Sequence, residues 1–74
     1  MTQEEMIQSI QQQEARAWVH MLRMKLEFGK EHALYKMAND KFVAINQLME
    51  SLGIETDLEL PEITEGLRLM QLLD

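Results

Sequence analysis

An apolar repeat runs through most of this chain and restricts it to helix. Alternate steps of three and four residues pick out Ile7, Ile10, Glu14, Ala17, Met21, Met24, Phe28, Glu31, Tyr35, Ala38, Phe42, Ile45, Met49 and Leu52, and twelve of these fourteen positions are apolar or aromatic. The whole chain is 46% hydrophobic, so about half as many would be expected by chance. A repeat of this kind lays its side chains along one face of a helix and describes a seam that packs against other helices.

Gly29 lies inside the repeat without shifting its phase, and two unrelated helices would share a heptad phase about one time in seven. A glycine that ends a helix commonly brings an apolar residue after it onto one four before it, but here those residues are Lys30 and Lys25. The stretch Lys30-Glu31-His32 offers no Ser, Thr, Asp or Asn to cap a new helix. A glycine inside a helix costs only about 1 kcal/mol. The expectation is therefore an all-α fold with one long heptad-patterned helix over residues 3–52, bent or turned at Gly29, and a short C-terminal helix over residues 61–73. The alternative is a three-helix protomer with a hairpin at Gly29, in which residues 7–28 pack antiparallel on residues 35–52.

Local signals place the ends. Thr2 followed by Glu5 fits a capping box, so a helix should begin near Gln3. The glutamine-rich segment to Gln13 reads as amphipathic and exposed. From Ala15 to Phe28 the apolar surface widens through Trp18, Val19, Leu22 and Leu26, which calls for several neighbours. Gly53, followed by Ile54 within reach of Met49, is a genuine helix stop. After an acidic connector, Pro61 suits the first turn of a new helix, and Glu62 and Glu65 suit its positive end. That helix carries Ile63, Leu67, Met70 and Leu73 on one face.

A helix of about 50 residues would be roughly 75 Å long, and a 13-residue partner would cover about 20 Å of it. The remaining seam needs other protomers. The hairpin has the same need, which two protomers forming a four-helix bundle would meet. Either arrangement predicts a single small helical domain, residues 1–74, that assembles as a homo-oligomer. The seam residues Ile7, Ile10, Ala17, Met21, Met24, Phe28, Tyr35, Ala38, Phe42, Ile45, Met49 and Leu52 are the expected oligomer interface. Trp18, beside the seam, is the best single anchor for a partner.

The chain has no cysteine, so neither a disulfide framework nor a thiolate metal site is available. Its start lacks the basic end and apolar core of a signal peptide, and no apolar run approaches a membrane span. The expectation is a cytoplasmic protein that makes no membrane contact. Net charge is −6, distributed as +3 over residues 15–41 and −3 and −6 on the two flanks. Duplex nucleic acid would be repelled by that balance.

The catalytic inventory is thin. His20 and His32 lack a Glu or His partner at metal-ligand spacing, so no metal is expected. Ser9 and Ser51 have no histidine at helical spacing, and the three glycines form no phosphate loop. No cofactor and no enzyme activity are expected. Glu14 and Glu31 interrupt the seam, either setting its register or facing a ligand or partner at an opening in the bundle. Arg16, His20 and Arg23 share one outer helical face with Glu27, and Lys30 follows; as a site they would hold the phosphate oxygens of an anionic, nucleotide-like molecule between protomers. Met21, Met24 and Met49 fit gap-filling in the seam or an adaptable helix-binding groove. The chain reads as a non-catalytic, homo-oligomeric interaction protein that binds another protein as an inhibitor, adaptor or assembly factor. The alternative is a protein that sequesters the anionic ligand.

Overall fold

A computed structural model describes residues 2–73. Three helices, α1 over Gln3–Phe28, α2 over Ala33–Leu52 and α3 over Pro61–Leu73, make up the fold, with no strand among the described residues. Thr2 opens α1, its Oγ1 accepting the Glu5 backbone N–H at 3.1 Å. α2 closes as the sequence indicates: Gly53 adopts φ 70°, ψ 28°, its N–H donates to the Glu50 carbonyl, and Ile54 N–H donates to the Met49 carbonyl at 2.9 Å. These paired bonds satisfy carbonyls that a helix end otherwise strands, and only glycine takes the left-handed turn without strain.

The long helix over residues 3–52 does not form, and the hairpin alternative is the observed structure. Gly29 sits at φ 89°, ψ 161°, a region open essentially to glycine alone. Its N–H closes α1 on the Lys25 carbonyl at 2.9 Å. The cap of α2 is a residue outside the usual set: His32 Nδ1 accepts the Leu34 N–H at 3.1 Å. The same imidazole stacks on Phe28 with ring centroids 4.7 Å apart. This contact supplies the clasp across the turn that Lys25 and Lys30 could not. Glu31, expected on the seam, is instead an exposed turn residue.

With the chain folded back, much of the seam closes on itself. Ala17 and Met21 on α1 and Ala38 and Met49 on α2 are buried, and Met24, Tyr35 and Phe42 pack around the core. Phe28 and Leu52, at the ends of the repeat, stay exposed. The requirement for other protomers is correspondingly smaller, and the longest dimension is 38 Å, about half the length of an unbroken helix over residues 3–52.

α1 is the central element. α2 and α3 both pack on it, over a shared core of Val19, Met21, Leu22, Ala38 and Leu69. Gln12 meets Glu62 and Trp18 meets Gly66, so α3 runs in the direction of α1. Gly66 is the contact point: a Cβ there would fall within 2.7 Å of Cζ3, Cε3 and Cη2 of Trp18. α2 and α3 approach nowhere within 8 Å at their Cα atoms. The molecule is thus a bundle with one side left open.

The connector between α2 and α3 is also set by named bonds. Asp57 Oδ1 accepts the Glu59 N–H at 3.0 Å, and the Leu60 N–H reaches the Asp57 carbonyl, turning the chain into Pro61. Gln11 Nε2 donates to the Glu55 carbonyl at 2.9 Å and Gln12 Nε2 to Glu62 Oε1 at 2.8 Å. Gln11 and Gln12, in a segment that is otherwise mostly exposed, thereby hold the connector and the start of α3 against α1. No helix among the described residues is long and apolar enough to cross a membrane.

Candidate functional site

Because α2 and α3 diverge over α1, a cleft runs between them, and at its base lies a cavity of about 310 Å³. Glu14 and Trp18 form its α1 side, Phe42 and Asn46 its α2 side, Ile63 and Leu67 its α3 side, and Thr56 and Leu58 close it from the connector. Along α3, Met70 follows Ile63 and Leu67 at spacings of four and three, so the apolar wall continues past the cavity. Leu58 is 74% exposed and Leu67 54%, so the cleft presents apolar surface to solvent with nothing covering it.

Glu14 is the one charged side chain in the cavity wall and is only 4% exposed. Thr56 donates its hydroxyl to Glu14 Oε1 at 2.7 Å. No Lys, Arg or His nitrogen among the described residues lies within ion-pair distance of this carboxylate; the ion pairs present are Arg23 and Arg68 with Glu65. Asn46 donates Nδ2 to the Phe42 carbonyl at 3.3 Å, which leaves its Oδ1 as an acceptor. A second carboxyl oxygen, Glu62 Oε2, is buried near the base of α3 with no hydrogen-bond partner among the described residues. Of the two glutamates that interrupt the repeat, one thus lines an opening in the bundle and the other lies in the turn.

The four residues expected to bind an anion are separated. Arg16 and His20 line a second hollow, of about 460 Å³, together with Gln13, Ala17, Ala38 and Lys41. Arg23 turns the other way and pairs with Glu65 on α3, while Lys30 stands in the α1–α2 turn. Lys41 was not anticipated, because the spacing of charges along α1 carries no information about which α2 residues lie beside them. Trp18, expected to anchor a partner, is half-buried against α3 and forms part of the cavity wall. His32 is committed to its cap. Among the described residues no group of three or more His, Cys, Asp or Glu side chains is placed to hold a metal ion.

These features define a class: a small three-helix protein with an open apolar cleft over a buried carboxylate. No protein-family model, curated protein or solved structure matches the chain.

Proposed function

We propose that this is a non-catalytic, homo-oligomeric interaction protein that acts by binding another protein, as an inhibitor, adaptor or assembly factor does. The observation that carries the reading is the open cleft: α2 and α3 each pack on α1, but their Cα atoms approach nowhere within 8 Å. A fourth helix laid between them would bury Leu58, Leu67 and Met70, and burial of such apolar area drives helix-in-groove recognition. The connector and start of α3 carry Glu55, Asp57, Glu59 and Glu62, interleaved in sequence with the cavity residues Thr56, Leu58 and Ile63. The fitting partner is therefore an amphipathic helix with an apolar stripe and basic margins. Self-association has a separate candidate surface, the exposed stripe of Leu34, Met37, Leu48 and Leu52 on α2.

Site-specific photocrosslinking in cells that make the protein tests both surfaces. A benzophenone amino acid at Met70 is expected to capture a different protein through an apolar and basic helix, identified by peptide mapping. The same group at Leu48 is expected to capture a second copy of this chain. Monomer alone at both positions, at the protein's natural abundance, would overturn the reading.

A second reading, sequestration of an anionic nucleotide-like ligand, is supported by Lys41 joining Arg16 and His20 around one hollow. A ligand at 100 times its Kd would add about 2.7 kcal/mol of stability. A nucleotide that raises the melting temperature of the wild type should lose that effect in Arg16→Ala/Lys41→Ala and keep it in Arg23→Ala, whose side chain is turned to Glu65. Equal loss in both variants, or no response to any nucleotide, rules this out.

A further inference from the structure

We infer that the cavity at the base of the cleft is a binding site for a small aliphatic amine in its ammonium form. A carboxylate removed from water is costly unless a cation or several hydrogen bonds compensate it. Glu14 is 4% exposed, receives one hydrogen bond, from Thr56, and has no cationic partner among the described residues. It lines a space of about 310 Å³, at the lower end of the size range of small-molecule sites. The missing charge is the ligand's.

The rest of the wall specifies the ligand further. An ammonium group has three N–H donors, and the residues lining the cavity carry three acceptors: the Glu14 carboxylate, Asn46 Oδ1 and Thr56 Oγ1. Trp18 and Phe42 add aromatic surface of the kind that favours a nearby cation. One carboxylate oxygen is already engaged by Thr56, which favours a compact ammonium over a guanidinium seeking both oxygens in a fork. Leu58, Ile63 and Leu67 supply an apolar lining for a hydrocarbon stem. The site selects an alkylammonium ion over an alcohol, a carboxylate or an inorganic cation. It requires no protein partner and stands or falls apart from the docking reading above.

The test uses the full-length protein and its own reporter, since Trp18 is the only tryptophan in the chain. Tryptophan emission is followed during titration with n-hexylammonium and, separately, with 1-hexanol, which has the same stem and no charge. The amine should give a saturable change at a concentration about tenfold or more below that needed with the alcohol, as a bond to a charged group implies. Glu14→Gln, which keeps an oxygen for Thr56, should bring the amine to the level of the alcohol, with helicity checked by circular dichroism. NMR on the unmodified protein provides the second measurement: amine-induced shifts should centre on the Trp18 indole N–H, the Asn46 side-chain amide and the Thr56 backbone amide. Equal affinities for amine and alcohol, failure to saturate, or shifts centred on Glu55, Asp57 and Glu59 of the connector would each overturn the proposal.

Discussion

Gly66→Ala should lower the melting temperature, against the usual direction for a glycine inside a helix. In a solvent-facing helical position the same change stabilises by about 1 kcal/mol, because alanine loses less backbone entropy on folding. At Gly66 the new methyl would stand within 2.7 Å of three carbons of the Trp18 ring, whereas carbon atoms pack at about 3.5–4.0 Å. The indole is a rigid plate held between α1 and α3, so α3 must move outward by about 1 Å to restore ordinary contact. Overpacking of this kind costs about 1–3 kcal/mol. In a domain of this size, 1 kcal/mol corresponds to about 4–8 °C. The double variant isolates the cause: with Trp18→Leu already present, Gly66→Ala should become neutral or stabilising. A higher melting temperature for the single variant would mean that α3 does not dock through this slot.

The same pair of residues marks where reading the sequence stops being informative. Caps at Thr2 and Gly53 and the helix start at Pro61 are legible because their partners lie within a few residues, so the pattern that specifies them is local. Trp18 and Gly66 are 48 positions apart in the chain. Nothing in the surroundings of Gly66 distinguishes a packing slot from a weak point in a helix. Glu14 is intermediate. Its interruption of an apolar seam flagged it as structural or ligand-facing, while its hydroxyl partner, Thr56, comes from the connector, beyond the reach of any periodicity. The bonds of Gln11 and Gln12 lie beyond reach for a related reason: the Glu55 carbonyl and Glu62 Oε1 that accept their amides are 44 and 50 residues away.

Charge spacing had a similar limit. Arg16, His20 and Arg23 do share a sector of α1 at helical spacing, which is all that spacing can establish. Which of them remains open depends on the neighbours, and α3 brings Glu65 to Arg23 while α2 brings Lys41 to Arg16 and His20. The Arg23–Glu65 pair is exposed and contributes about 0–1 kcal/mol at most. Its larger consequence is to remove Arg23 from the basic hollow.

Gly29→Ala should turn the hairpin into a continuous helix and make two copies of the chain exchange their α2 segments. The repeat keeps its phase through residues 28–35, so an unbroken helix would present the same apolar face along its whole length. What prevents it is the turn, in which Gly29 adopts φ 89°, ψ 161° with no atom within 4 Å of where a Cβ would stand. The obstacle to alanine there is therefore backbone strain and not space. Holding alanine in that region costs on the order of 1–3 kcal/mol, and alanine gains about 1 kcal/mol in the helical alternative. Together these shift the balance by about 2–4 kcal/mol toward the straight form, and His32→Ala would add about 1 kcal/mol by removing the cap of α2. A straight chain cannot bring Ala38 and Met49 back to Ala17 and Met21, so the core is recovered only when α2 of one copy packs on α1 of another. Small-angle scattering should then show a maximum dimension above that of the wild type and of at least roughly 75 Å, with a sedimentation mass of at least two chains. If Gly29→Ala instead keeps the wild-type dimensions and mass and merely melts earlier, the Phe28–His32 clasp and the α1–α2 core outweigh the strain, and the unbroken phase of the repeat reflects only two helices that present matching faces to each other.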